Sequence, residues 1–439
     1  MTQKEPERKV RWYQRILASL WLSFCFVFVY NGCNFISSLR NDVGTCAFPW
    51  ELELFAFVPI LIIPYWSIDL LFFVAPWFIT QPVALSQHVK RITFGILVSG
   101  MFFLLFPLEL AFQRPEVTGW LAPYFAALEN YNNFYNCAPS LHIVLLTNLW
   151  AVYRSLSKGI WPWVLGFWFL SIEASTLFCY QHHLMDVFTG QLLGFFCLFI
   201  FPERPFPKTS TDRTRNRNAS PKIGYIYGGS SLILTLLSVF TWPGGMLLLW
   251  PASSLAIISI AYLDMGPALF QKRDGLHSTS ARVLLAPYRW IAELTAWYFN
   301  RGSADYVSVS PELHFGQRLS SQTAKALKVK AVLDLTAEYE ECETFRQSAY
   351  LNVPILDLTC PTLEELDRCV AFIKSQPSCY VHCSLGRGRS GLVIAAYLIG
   401  KGMAVETSLT QLKELRPKLH LPRDAKALLE EFTATKELS

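Results

Sequence analysis

Cys383 and Arg389 stand six residues apart in the run Val381-His-Cys-Ser-Leu-Gly-Arg-Gly-Arg-Ser-Gly391. Between a strand and a helix, such a loop presents backbone N–H groups and the positive end of a helix dipole, which suits a phosphate dianion. The same field lowers the pKa of the Cys383 thiol and makes it a nucleophile near neutral pH. The N–H groups of Ser384, Leu385, Gly386, Arg387 and Gly388 would line the anion. Gly386 and Gly388 let the backbone curl without Cβ clashes. Arg389 offers a planar fork for two equatorial oxygens, which a lysine could not. Ser390 could donate a hydrogen bond to the thiolate as a phosphoenzyme breaks down. A second set of reactive residues lies far upstream: Arg114-Pro115, Pro139-Ser140-Leu141-His142, and His182-His-Leu-Met-Asp186. With His182 and Asp186 at i and i+4 on a helix, the carboxylate could hold and polarise the imidazole. His182 could then attack phosphorus while His142 protonates the leaving alkoxide, with Arg114 and Ser140 holding the phosphoryl oxygens.

The elements that must position these residues are of two kinds. The chain is 52% hydrophobic and 15% aromatic over 439 residues, and the apolar residues crowd before Asp264. Runs long enough to cross a bilayer fall near Ile16–Phe35, Leu54–Ile79, Ile92–Phe112, Leu141–Tyr153, Ile160–Phe178, Leu184–Phe201, Ile223–Thr241 and Met246–Leu263. Eight crossings return both termini to one side. Lys4, Arg8, Lys9, Arg11, Arg15, Lys90, Arg91, Arg154, Lys158, Arg204, Lys208, Arg213, Arg215, Arg217 and Lys222 fall in the segments on that side. Only Arg40 and Arg114 fall in the loops opposite. The asymmetry predicts that the C-terminal module faces the cytoplasm and the histidine motifs face outward. The Pro-, Ser- and Arg-rich stretch 202–222 reads as a linker.

After Asp264, charged residues return at the density of a soluble protein. The expected organisation is a membrane module over 1–263 with its core at about 50–201, a connector over 264–305, and a soluble module over 306–439. In the connector, the segment from Ala281 to Phe299 mixes aromatic and charged residues. It reads either as a helix on the inner membrane surface or as one packed on the soluble module. From Tyr306, short β-branched runs at 331–335, 350–355 and 379–382 alternate with helical stretches near 320–328, 362–375, 391–401 and 425–437. That alternation predicts an α/β domain. The fold class is therefore a polytopic all-α membrane bundle followed by an α/β domain. Net charge is only +5, and without a dense basic patch nucleic acid is not an expected partner. The eleven cysteines include no C-x-x-C pair, so neither a metal nor another cofactor is expected.

The loop from His382 to Gly391 resembles the Cys-x5-Arg signature of the protein tyrosine phosphatase superfamily, and most closely its dual-specificity branch. The resemblance covers roughly 306–438. It implies a cysteinyl-phosphate intermediate and an acid for the leaving oxygen. Asp357, after a strand and 26 residues before Cys383, stands where the family places that acid. Asp334 reads as structural, and Glu364, Glu365 and Asp367 as helix residues. A second basic residue in the loop, Arg387, is similar to a feature of phosphoinositide phosphatases; the alternative is an arginine facing solvent.

The upstream patches resemble the type 2 phosphatidic acid phosphatase superfamily, whose motifs are Lys-x6-Arg-Pro, Pro-Ser-Gly-His and Ser-Arg-x5-His-x3-Asp. Ser175 matches, whereas Pro107, Leu141 and Thr176 replace the lysine, glycine and arginine. Pro-Ser-Leu-His with His-His-x-x-Asp is most similar to the inositol phosphorylceramide synthase branch, which transfers phosphodiester head groups. The whole chain resembles bacterial fusions of such a module with a dual-specificity phosphatase, which implies a multi-pass protein of the bacterial inner membrane. Three readings follow from the two resemblances. One is a phosphatase acting on phospholipid monoesters. Another is a head-group transferase with an accessory phosphatase. The last is a membrane-tethered protein phosphatase. The partners are membrane lipids and a phosphorylated lipid or phosphoprotein substrate.

Overall fold

The computed structural model describes residues 9–131, 135–156, 158–203 and 220–437. The linker arginines between 204 and 217 lie outside the described residues, as do Lys4 and Arg8. The chain divides into two compact units, 1–205 with 234–250, and 206–233 with 251–439.

In the first unit, helices run over Trp12–Ser38 (α1), Ile62–Phe78 (α2), Pro82–Leu105 (α3), Leu141–Leu156 (α4), Trp161–Phe178 (α5) and Leu184–Ile200 (α6). Two further helices, Pro221–Phe240 (α7) and Leu249–Ile260 (α8), have residues in both units. Five helical segments among the described residues are long and apolar enough to cross a membrane: Trp12–Ser38, Pro59–Phe78, Pro82–Leu105, Pro221–Phe240 and Gly244–Phe270. The other three expected runs form helices of 16, 18 and 17 residues. At 1.5 Å per residue, α4 reaches about 24 Å, short of a hydrocarbon core of about 30 Å. It forms the buried axis of this unit, with Leu141, Ile143, Val144 and Leu149 all almost fully enclosed.

The third run departs from expectation. Its helix starts ten residues early, because Pro82 at N1 is pre-set for helix, and it stops before Pro107. Lys90 and Arg91 therefore sit within α3 and not in a loop. Buried Arg91 is satisfied by the Phe201 carbonyl, to which its Nε donates at 2.7 Å, and by Glu203 at 3.7 Å.

The second unit carries a five-stranded sheet of β1 (Tyr306–Ser310), β2 (Leu313–Gln317), β3 (Ala331–Thr336), β4 (Ala349–Ile355) and β5 (Cys379–Cys383), in the order β1-β2-β5-β3-β4. Only the β1–β2 pair is antiparallel. Every residue of β3 and β5 is buried, as central parallel strands covered on both faces require. Helices α11 (Leu363–Ser375), α12 (Arg389–Ile399), α13 (Val405–Leu415) and α14 (Ala425–Glu437) pack around the sheet; α13 was not foreseen from the sequence. A capping box starts α11, with Thr362 accepting from the Glu365 N–H and Glu365 from the Thr362 N–H, a pairing that fixes the helix entry.

The connector belongs to the same unit. A buried ion pair joins Lys272 to Asp334 at 2.5 Å, and Tyr350 also donates to Asp334 at 2.6 Å. Asp334 is thereby structural. Helix Ala286–Asn300 (α10, here called the connector helix), which follows the short helix Thr279–Leu284 (α9), is held by Tyr339, whose hydroxyl donates to the Ala292 carbonyl at 2.9 Å. Arg318 grips Glu293 with both carboxylate oxygens at 2.6 and 2.7 Å.

Candidate active site

The parallel strands β2, β3, β4 and β5 end on one edge of the sheet, and the candidate site is built there, where open α/β sheets bind ligands. Cys383 closes β5, Glu338 follows β3 by two residues, and Asp357 follows β4 by two. Arg389, the first residue of α12, is 2% exposed and gathers all three loops. Its Nη1 donates to the Ile355 carbonyl at 2.8 Å and to Glu338 at 3.0 Å, and Nη2 to the other Glu338 oxygen at 2.6 Å. Asp357 Oδ1 lies 3.2 Å from Nη2. Glu338 thus takes one N–H from each terminal nitrogen and fixes the plane of the fork. The buried Nε has no hydrogen-bond partner among the described residues.

Cys383 is 3% exposed, with Sγ 3.5 Å from the Ser390 hydroxyl. Burial by itself would raise this thiol. The Arg389 guanidinium and hydrogen bonds from the Ser390 side chain and backbone outweigh it, and the thiol lies below its ordinary value of 9.0. Among the described residues, Ser384, Leu385, Gly386, Arg387 and Gly388 donate no backbone–backbone hydrogen bond. Their N–H groups sit at the N-terminus of the eleven-residue α12, a ready anion site. Gly386 is required for a reason the sequence did not show. Its φ is +66°, and a Cβ there would sit 2.3 Å from the Gly316 carbonyl carbon in β2. The loop curls because it is pressed against a strand.

Arg387 departs from its expected part as an anion ligand. Its Nη2 donates to the Phe299 carbonyl at 2.5 Å and to Ser303 Oγ at 3.1 Å, so its bonds tie the loop to the end of the connector helix. Three residues that sequence reasoning missed complete the setting. Arg416, 5% exposed, donates to the Leu385 carbonyl at 3.0 Å. Tyr339 accepts a hydrogen bond from Ser384 at 3.2 Å. Tyr262 donates to the Asp357 carbonyl at 3.1 Å, and the next residue, Leu358, is exposed with φ of +60°. The signal for Glu338 was available, since a carboxylate just past β3 falls on the same sheet edge as Cys383.

Beneath the loop, ligand atoms of Asp334, Glu341 and His382 lie within 4.8 Å of one another. His382 Nε2 is 2.8 Å from Glu341 Oε2. Burial would lower the His382 pKa, but Glu341 and Asp334 raise it above its ordinary value. The Lys272 ammonium already supplies a cation to this cluster.

In the first unit, the upstream motifs also meet. The Ser140 N–H donates to the Asp186 carbonyl at 3.0 Å, bringing the His142 and His182 loops together. His182 Nδ1 is 3.3 Å from Asp186 Oδ2. The expectation that the two share one helix is corrected, because α6 starts at Leu184 with His183 as its N-cap, which leaves His182 before the helix. His183 is fully buried and spent at both ring nitrogens: Nδ1 is 2.8 Å from Glu51 Oε2, and Nε2 accepts from the Ala111 N–H at 3.1 Å. Cys46 donates to Asp186 Oδ1 at 2.9 Å. The His142 ring stacks on Tyr65 with centroids 4.4 Å apart, and its Nε2 is buried with no hydrogen-bond partner among the described residues. Arg114 Nη1 lies 3.9 Å from Glu129.

Comparison with known proteins bears on the second unit. The profile of the dual specificity phosphatase catalytic domain matches residues 314–434. This segment is a dual-specificity phosphatase domain. It is similar to the phosphatidylglycerophosphate phosphatase PTPMT2 of Arabidopsis thaliana, at 33% identity over 25% of this chain and 53% of the relative. It is also similar to the human phosphatidylglycerophosphatase and protein-tyrosine phosphatase 1, at 28% identity over 36% of this chain and 88% of the relative. The match thus spans about half of the plant protein and most of the human one. Among solved structures, PTPMT1 in complex with PI(5)P aligns at 19% identity over 31% of this chain and all of that one, with a TM-score of 0.29. The chain accordingly carries the catalytic domain of a phosphoric monoester hydrolase of the dual-specificity type.

Proposed function

We propose that this protein hydrolyses the phosphate monoester of a membrane phospholipid through a cysteinyl-phosphate intermediate on Cys383. The observation that carries the reading is the setting of the thiol: Cys383 Sγ is buried 3.5 Å from the Ser390 hydroxyl, at the mouth of a loop whose N–H groups make no backbone hydrogen bond, with the Arg389 charge favouring the thiolate. The relatives named as phosphatidylglycerophosphatases support a lipid substrate, as do the five apolar helical segments long enough to hold the domain at a bilayer.

In the first step the Cys383 thiolate attacks phosphorus and the P–O bond to the head group breaks. The dianion rests on the N–H groups of Ser384–Gly388 and on Arg389 Nε. Asp357 gives its proton to the departing alkoxide. In the second step Asp357, now a carboxylate, takes a proton from water as the water oxygen attacks phosphorus. The S–P bond breaks, and Ser390 donates its hydroxyl proton's hydrogen bond to the returning thiolate. Glu338 touches no reacting atom; it locks the orientation of Arg389. Phosphocysteine trapped by acid quench from wild-type protein, mapped to Cys383 by mass spectrometry and missing from Cys383→Ser, tests the step directly. A quenched wild type without label at Cys383 refutes it.

A second reading concerns the upstream cluster. The contact of His182 with Asp186 and a His142 Nε2 that is buried with no hydrogen-bond partner among the described residues support a phosphodiester-transfer site on the outer side of a multi-pass membrane module with eight crossings. In that arrangement the phosphatase domain is cytoplasmic, in a bacterial inner membrane. Exchange of radiolabelled head groups between lipids that is lost in His182→Ala, and kept in Cys383→Ser, tests it.

A further inference from the structure

The connector helix, Ala286–Asn300, packs one side on the domain and leaves the other bare. Trp290, Ile291, Leu294, Trp297 and Tyr298 are each between 57% and 63% exposed. At 3.6 residues per turn these five project within an arc of roughly 120°. The opposite arc carries Tyr288, Ala292 and Glu293, which hold the helix to the domain. A soluble domain seldom leaves such a stripe in water.

Three observations identify what covers it. The first is continuity with the membrane segment. Tyr288 at the start of the helix packs on Phe270 and on Tyr227, each at a ring-centroid distance of 5.9 Å. Phe270 is the last residue of the apolar segment Gly244–Phe270, and Tyr227 belongs to the apolar helix α7. The bare stripe therefore begins within one ring of residues suited to the hydrocarbon core. The second is charge. At the far end Arg301 stacks its guanidinium on the Trp297 ring at 3.6 Å, and Lys418 donates to Ser303 Oγ at 3.2 Å. Cations beside tryptophan and tyrosine are the composition of a head-group layer. The third is position. The helix forms one wall of a cavity of about 320 Å³ that Trp297 and Arg301 line from this side, with Arg318, Tyr339 and Ser384 of the phosphate loop opposite. Its end is bonded to the same loop through Arg387 and Phe299.

We propose that the connector helix lies in the lipid head-group layer, its stripe dipping about 5–10 Å toward the acyl chains as interfacial helices do. The cavity then opens onto the leaflet, and phosphate monoesters reach Cys383 from the bilayer and not from bulk water. The partner surface is a lipid bilayer. The delivery half of the proposal rests on the phospholipid reading above; the location of the helix does not.

The test uses the full chain in nanodiscs of phosphatidylcholine and phosphatidylglycerol at three to one, doped with an alkyne-tagged phosphatidylcholine. Benzoylphenylalanine replaces Leu294, or, as a control, exposed Glu430. Irradiation should attach tagged lipid at position 294 and not at 430. An adduct at twice the chain mass in place of lipid assigns the stripe to a second copy, and no lipid adduct at 294 also overturns the proposal. In the same nanodiscs, Ile291→Glu with Leu294→Glu should lower hydrolysis of long-chain phosphatidylglycerophosphate at least tenfold. Hydrolysis of water-soluble p-nitrophenyl phosphate should stay unchanged. Equal loss on both substrates, or on neither, contradicts delivery from the bilayer. A wild type that cleaves only the soluble ester defeats the phospholipid reading, while the adduct at 294 still decides where the helix lies.

Discussion

The phosphate loop and the upstream histidine cluster are both buried groups of reactive side chains, and they differ in sign. Around Cys383 the cations Arg389 and Arg416 and a row of backbone N–H groups outweigh the acids, of which Glu338 and Asp357 are bound to Arg389. Around His182 stand two buried carboxylates, Asp186 and Glu51, while Arg114 is drawn toward Glu129. The first balance stabilises a phosphate dianion and a thiolate together. The second repels a dianion and suits, at most, the single charge of a diester. Charge balance, more than the identity of any one nucleophile, separates the two regions.

The strongest way to break this comparison is at Cys383. Cys383→Ser should lower phosphate release by about 10⁴-fold or more, as loss of a catalytic nucleophile does, whereas His182→Ala should leave release from p-nitrophenyl phosphate unchanged. A parallel loss in both variants would erase the distinction. Asp357→Asn should cost about 10²–10⁴-fold on an alkyl phosphate and far less on p-nitrophenyl phosphate, whose leaving group needs no proton. Similar losses on the two esters would remove Asp357 from its role as the acid.

Glu338→Ala leaves the Arg389 charge buried without its bidentate partner, which costs about 3–5 kcal/mol. It should show as early proteolysis of the domain on heating and as a fall in kcat. The thiol offers a test by pH. Alkylation of Cys383 by iodoacetamide should reach half its plateau below pH 9.0, because the thiolate is favoured, and Arg389→Ala should move that midpoint upward. A midpoint at or above 9.0 in the wild type would deny the loop its field. The smallest effect belongs to Tyr262→Phe. Loss of one hydrogen bond of about 1 kcal/mol from the Asp357 carbonyl should cost about fivefold in kcat, again only where the leaving group needs its proton.

Much of the second unit was legible in the sequence, because its signals are local. The strand, the glycines and the cysteine–arginine spacing sit within eleven residues, and alternation of strands and helices predicted the domain around them. Asp357 was singled out by its place after a strand together with the family resemblance, and it lies 3.2 Å from Arg389. What escaped came from afar: Glu338 meets Arg389 across 51 positions, Lys272 meets Asp334 across 62, and Tyr262 meets Asp357 across 95. Only the parallel order of the sheet brings the ends of β3, β4 and β5 to one edge. The side-chain partners of Arg387 escaped for the same reason, since Phe299 and Ser303 lie in the connector. In the first unit the apolar runs were read correctly as helices, but not all of their ends were. Pro82 starts α3 inside a polar stretch that hydropathy excludes, and α4 is short because protein encloses it.

The most direct test of the central claim is phosphate release by the purified full chain from phosphatidylglycerophosphate, phosphoinositides and phosphotyrosine peptides, with Cys383→Ser beside it. A phospholipid monoester should have the highest kcat/KM, and Cys383→Ser should abolish its hydrolysis. Peptides turned over faster than every lipid, or lipid hydrolysis that survives Cys383→Ser, would contradict it.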